Sequence, residues 1–169
     1  TRAPWYSAMA QGQVLSLYAA LHEIEPDDDV IEICNKVFLT MTPEQEEQGE
    51  PWCTCINTDG QLWLEEYPMD PPANTLNGII FAIYGLYDYY QLTGSPEAEA
   101  LLRGSIKTIM DTIPRFRVEG DFSHYCLKHP RVLDEGYHQI HTEQLEALAH
   151  MTGDPVFQSA VEEFKQDNE

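Results

Sequence analysis

The sequence predicts an all-α fold in which helical hairpins form a partial (α/α) toroid, with short β-ribbon insertions. Three observations lead there. Similar punctuation recurs at IEPD (residues 24–27), TGSP (93–96) and TGDP (152–155), each time between two stretches of helical pattern. Apolar residues return at helical spacing on both sides of these marks. Between the first and second pairs the pattern changes to alternation around Asp59-Gly60, a hairpin signal. The marks lie about 60 to 70 residues apart, which reads as a repeated two-helix unit.

The elements follow in order. A first helix is expected over residues 6–24, with Met9, Gln13, Leu17 and Ala20 along one side. Asp27 then caps a second helix over residues 30–41, which carries Ile33, Val37 and Met41. The hairpin CTCINTDGQLWLEEY follows, and then a helix over residues 73–92 that is apolar nearly all round and so the most buried. Gly94 closes that helix, and Ser95 and Pro96 open the next over residues 97–113, through Leu101, Leu102, Ile106, Ile109 and Ile113. FRVEGDFSHYCL, turning at residues 119–121, reads as a second short ribbon. The third pair spans residues 137–151 and 156–164, punctuated by Gly153, Asp154 and Pro155.

Six helices in succession make one domain over residues 1–169, an arc whose open flank needs a partner domain or subunit. The chain starts at Thr1, without methionine and amid aromatic residues, as a piece of a longer polypeptide would.

Composition narrows the partners. Nine basic against 29 acidic side chains give a net charge of -20 and a pI near 4.4. No basic stripe is available to displace counterions from phosphate, which argues against nucleic acid. The acidic runs at residues 23–29 and 44–50 read as solvated surface. No apolar run reaches transmembrane length, and no secretory leader is expected within the sequence. Four cysteines are present, and Cys53-Thr-Cys55 is too tightly spaced for a zinc knuckle or a redox motif. All four are expected to be free, which points toward a reducing, cytoplasmic compartment. Neither a metal nor an organic cofactor is expected.

Residues that carry chemistry gather in WLEEYPMDPPANTLN, residues 63–77, at the rim between a strand and a helix. Glu65 and Glu66 are adjacent in an extended stretch, so their side chains should part, one of them entering the cleft. A carboxylate among Trp63, Tyr67 and Pro68 would have its pKa raised by burial, as suits a general base. Asn77 offers an amide for packing, capping or a sugar hydroxyl. In YHQIH, Tyr137 precedes His138 and His141, whose interval puts both imidazoles on one side of a helix. Two histidines make a poor metal site, and a hydrogen-bonding role is the ordinary alternative. Tyr125 lies on the second ribbon with Lys128 three positions on, and Arg131 and Arg2 are further cations. The stripe Tyr84, Tyr87, Tyr90 serves helix packing or sugar stacking.

At these residues the chain resembles a known family. WYSAMAQGQVLSL, LWLEEYP, LNGIIFAIYGLYDYY and YHQIHTEQLEAL occur in the order seen in the C-terminal helical domain of D-glucuronyl C5-epimerases. The resemblance implies epimerisation at C5 of glucuronate residues in a polysaccharide, by proton abstraction and re-protonation. It puts the catalytic carboxylate at Glu66, with Tyr137 and Tyr125 as further catalytic groups. Tyr67, Asn77, Lys128, His138 and His141 would bind substrate. It also implies β-rich domains upstream. Lys128 stands where the family has arginine, Cys126 where it has aspartate, and Glu135-Gly136 where tryptophan-aspartate often precedes the tyrosine. Other readings stay open: a polysaccharide lyase, a non-catalytic glycan-binding or structural domain, or a glycoside hydrolase. A hydrolase would need Asp88 or Glu143 to reach the cleft as a second carboxylate. The charge favours a lightly charged uronate glycan over a highly sulfated one.

Overall fold

A computed structural model describes residues 5–42, 52–130 and 133–167. Arg2, Arg131 and the acidic run at residues 44–50 lie outside the described residues. The chain is mostly helical: α1 (Ala8–Ile24), α2 (Asp28–Leu39), α3 (Leu76–Thr93), α4 (Pro96–Thr112), α5 (Glu135–Thr152) and α6 (Pro155–Gln166), with a 3-10 turn at Ile113–Arg115. A two-stranded antiparallel sheet, β1 (Thr54–Ile56) and β2 (Leu62–Leu64), pairs Cys55 with Trp63.

The punctuation works as its chemistry requires. Asp27 Oδ1 accepts from Asp29 N–H at 2.9 Å, Ser95 Oγ from Ala98 N–H at 3.2 Å, and Asp154 Oδ1 from Val156 N–H at 2.9 Å. Each bond satisfies a donor left free by the first helical turn. Gly94 and Gly153 end α3 and α5 at φ of 64° and 67°, where a side chain would be strained.

Consecutive helices pair as α1–α2, α3–α4 and α5–α6, and α3 also packs on α1 and on α5. α3 therefore lies at the centre and buries ten residues, Ile79, Ile80, Ile83 and Leu86 among them. A fully buried side chain of this kind contributes about 1.5–3 kcal/mol relative to exposure. The α1–α3 crossing is unusually close. A Cβ added at Gly12 would meet Phe81 O at 2.7 Å, and one added at Gly85 would overlap the Gly12 backbone. On the other side, Phe38 of α2 stacks on Tyr89 at 4.7 Å, and the Tyr89 hydroxyl donates to Asn35 Oδ1 at 2.7 Å.

Two expectations change. α3 starts at Leu76 rather than at residue 73, because the backbone before it is not helical: Asn74 is left-handed at φ 54° and Thr75 is extended. The second ribbon is not a regular ladder among the described residues. Gly120 makes the turn at φ 73°, but only isolated bridges follow, His124 with Leu133 and Cys126 with Thr75. The segment leans on α6 instead, where Arg117 forms a two-pronged pair with Asp167 at 2.6 and 3.1 Å. All four cysteines are buried, and no disulfide joins them among the described residues. No helix among the described residues is long and apolar enough to cross a membrane.

Candidate active site

The site forms where β2 runs out and α3 begins. Glu65 and Glu66 are both buried, and their carboxylates have different partners. Glu65 Oε2 accepts from Ala73 N–H at 3.1 Å, and its two oxygens accept from Asn74 N–H at 3.1 and 3.2 Å. Burial nonetheless pushes its pKa up to about 7, against the opposing pull of those N–H groups and of Lys128.

Glu66 faces the tyrosines. Its Oε2 accepts from the Tyr125 hydroxyl at 3.3 Å, and Tyr67 donates to the same carboxylate. The carboxylate lies directly over Gly78, where an added Cβ would sit 2.7 Å from Glu66 Oε2. Burial raises the Glu66 pKa and the two hydroxyls lower it, so a proton acceptor is kept among donors. Tyr67 is raised by its bond to Glu66 and then by burial. Tyr125 is raised far above the ordinary phenol, first by burial and then by the charge of Glu66.

Tyr137 joins this group from the first turn of α5. Asp134 caps that helix, accepting from Tyr137 N–H at 3.1 Å. The Tyr137 ring meets that of Tyr125 edge-on at 4.4 Å and lies 6.3 Å from His141. Glu66, Tyr67, Tyr125 and Tyr137, from three separate stretches of chain, thus form one cluster.

The other expected residues divide. Asn77 is buried beside the cluster at the start of α3. Its carbonyl accepts from Gln144 Nε2 at 3.2 Å, while its own Oδ1 has no partner among the described residues. Lys128 does not reach the tyrosines. Its ammonium donates to Pro71 O at 2.7 Å and to Met69 Sδ at 3.1 Å, and Tyr125 is raised rather than lowered, so cationic activation of that phenol is not what this arrangement provides. His138 is used internally. It accepts from Ser123 N–H at 2.9 Å, bonds Phe164 O at 2.9 Å through Nε2, and stacks on Phe164. Both ring nitrogens are thereby spent on packing α5 to α6 and to the loop before Tyr125.

His141 is fully buried and bonds Ser123 Oγ at 2.8 Å. Burial, and then the neighbouring His138, depress its pKa to about 3, so it stays neutral. Its Nε2 has no partner among the described residues. Asp88 lines a groove of about 610 Å³ with Tyr84, Tyr87 and His150, farther along α3 and α5 from Gly78 and Tyr137. Glu143 is exposed and bonded to Gln139. Neither carboxylate joins Glu66. No group of three or more His, Cys, Asp or Glu suited to a metal ion occurs among the described residues.

Ser123, Gln144 and Gly78 escaped the sequence reading. Gly78 carried a signal, since a glycine inside an apolar helical run marks a close approach. Ser123 and Gln144 carried none.

Stacked helical hairpins with a buried carboxylate beneath tyrosine hydroxyls define a helical domain equipped for acid–base chemistry. The chain belongs to the family described as D-glucuronyl C5-epimerase C-terminus, which matches residues 1–166. It is 26% identical to a D-glucuronyl C5-epimerase of Caenorhabditis elegans, over 90% of this chain and 27% of that protein. An uncharacterized protein of Methanocaldococcus jannaschii is 25% identical over 90% of this chain and 49% of its own length. The chain thus spans less than half of these curated relatives. Among solved structures, cellobiose 2-epimerase from Spirochaeta thermophila shares the fold, with a TM-score of 0.61 at 17% identity over 94% of this chain and 41% of that one.

Proposed function

We propose that the chain supplies the helical part of a carbohydrate epimerase that acts at C5 of glucuronate residues in a polysaccharide. One observation carries this reading: the Glu66 carboxylate is buried, shifted toward basicity and held by Tyr67 and Tyr125 beside Tyr137. Membership in the C5-epimerase family supports it.

Inversion at C5 needs a base to take the proton from one face and an acid to return a proton to the other. Glu66 takes the C5 proton, and the electron pair left behind delocalises into the uronate carboxylate. A phenol then delivers a proton to C5. Tyr137, half-buried beside Tyr125, is the phenol placed to donate from the other face, its phenolate then recovering a proton from solvent. Tyr125 stays protonated and bonded to Glu66 on the base's own side. Tyr67 tunes Glu66, and Asn77, whose buried amide oxygen has no partner among the described residues, would meet a sugar hydroxyl only where the site opens to admit it. Neutralisation of the uronate carboxylate falls to cations elsewhere in the complete protein, since Lys128 is occupied at Pro71. The arc of hairpins is completed by further domains, β-rich ones included, or by a second subunit. The high negative charge favours a lightly sulfated or unsulfated polymer.

The test is deuterium incorporation at C5 with the full-length protein, glucuronate polysaccharides and heavy water, read by NMR. Label together with new iduronate signals, both lost in Glu66→Gln, is the expected result. Unsaturated chain ends would identify a lyase sharing the same first step. No exchange on any polymer at low or high salt would sink the catalytic reading in favour of glycan binding, a role that Cys126 and the diverted Lys128 would also fit.

A further inference from the structure

Glu65 has no place in the proton transfers just described, yet its buried carboxylate holds residues 73–74, the segment that in turn bonds the chain around Tyr125. Its own backbone anchors the end of β2, since its N–H donates to Cys53 O at 2.6 Å and its carbonyl accepts from Ala8 N–H at 2.9 Å, at the start of α1. Its carboxylate crosses eight residues of chain to hold the N–H groups of Ala73 and Asn74, and Asn74 Nδ2 donates to Oε1 at 3.3 Å. The opposite edge of that held segment bonds the irregular stretch around Tyr125. Leu127 N–H donates to Asn74 O at 3.2 Å, Lys128 N–H to Ala73 O at 3.3 Å, and Leu76 N–H to Tyr125 O at 3.2 Å. A carboxylate buried on this scale is costly unless its bonds do something that an apolar residue would not.

We propose that Glu65 is a positioning residue, a clamp that sets Glu66 and Tyr67 on one side against Tyr125 on the other. It rests on the proposed function only in that the geometry so held is the reacting one. Two routes lead from Glu65 to the Glu66–Tyr125 contact. One is the peptide bond to Glu66, and the other runs through residues 73–74 to residues 125–128. Loosening the second route lets Tyr125 drift while Glu66 stays on Gly78. Displacements near 1 Å between reacting groups cost about a hundredfold in rate.

The test uses the full-length protein with Glu65→Asp and Glu65→Gln. Aspartate keeps the charge but withdraws the carboxylate by one methylene. Glutamine keeps the length and an oxygen able to accept from both backbone N–H groups. Glu65→Asp is expected to speed amide hydrogen exchange about tenfold at Ala73, Asn74, Leu76, Leu127 and Lys128, with α1 and α3 unchanged. It is also expected to lower kcat for C5 exchange about a hundredfold with KM within about twofold, while Glu65→Gln stays within about fivefold of the parent on both measures. Asn74→Asp sets a second carboxylate against Glu65 and should open the clamp from the other side, giving the same local loss of protection even if Glu65→Asp does not fold. Unchanged amide protection in the folded variants overturns the clamp, as does an equal loss of kcat and KM in aspartate and glutamine alike. If the parent protein labels no substrate, the epimerase reading fails by itself and the amide measurement still decides on Glu65.

Discussion

At the scale of single residues, the site is governed by which carboxylate has which partner. Glu66 has two phenols and Glu65 has two amides, and burial raises both pKa values. Removing the Tyr125 hydroxyl (Tyr125→Phe) deletes a bond that lowers the Glu66 pKa. The acid limb of the kcat/KM profile for C5 exchange should therefore move to higher pH, alongside a lower maximum. Stability carries its own signature of Glu65. Its native pKa of about 7 lies above the ordinary 4.5, so the native state binds the extra proton. Its contribution is then greatest below about pH 4.5 and falls as pH rises to about 7, by on the order of 3 kcal/mol. His141 runs the other way. Held near 3 against 6.5, it makes the native state poorer in protons, and stability falls as pH drops below about 6.5. Comparing Glu65→Gln with the parent isolates the first effect: the difference in Tm should shift in favour of the variant between pH 5 and pH 7.5. A difference that does not change with pH would show that Glu65 titrates normally.

At the scale of elements, α3 is held in two different ways. Against α5 it meets polar and aromatic side chains, such as the Tyr84 hydroxyl on Gln144 O at 3.1 Å. Against α1 it meets backbone. Gly85→Ala would drive a methyl into the Gly12 backbone, and rigid helices cannot yield as a side chain tip does. Destabilisation of about 1–3 kcal/mol or more is expected by denaturant titration, with Gly12→Ala behaving alike. By contrast, Asp154→Ala removes one cap on α6 and should cost about 1 kcal/mol. If Gly85→Ala proved neutral, the α1–α3 approach would have to be looser than described. The caps and closing glycines were legible because they act within four residues of themselves, and sequence displays such spacing directly. The Gly12–Gly85 contact was not, because neither residue announces its partner 73 positions away.

At the scale of the molecule, charge and architecture set terms that no single residue controls. A domain at -20 repels a polyanionic chain, and salt screens that repulsion. Affinity of the full-length protein for a glucuronate polymer should therefore hold or strengthen between about 0.01 and 0.15 M salt, over which the Debye length shrinks from about 30 to 8 Å. A steep weakening, as for a basic binding surface, would contradict this. By itself the sequence determined the helical hairpins, the first ribbon, the order of the elements and the grouping of Glu66 and Tyr67, since these depend on periodicity and on caps a few residues away. It also pointed to Tyr125 and Tyr137 through family likeness. Only the tertiary structure decided that the two tyrosines meet at 4.4 Å, that Lys128 turns to Pro71, that His138 is spent on Phe164, and that Glu65 ties three segments together. Those outcomes depend on which buried polar group finds which partner across dozens of residues, and burial leaves each group room for very few.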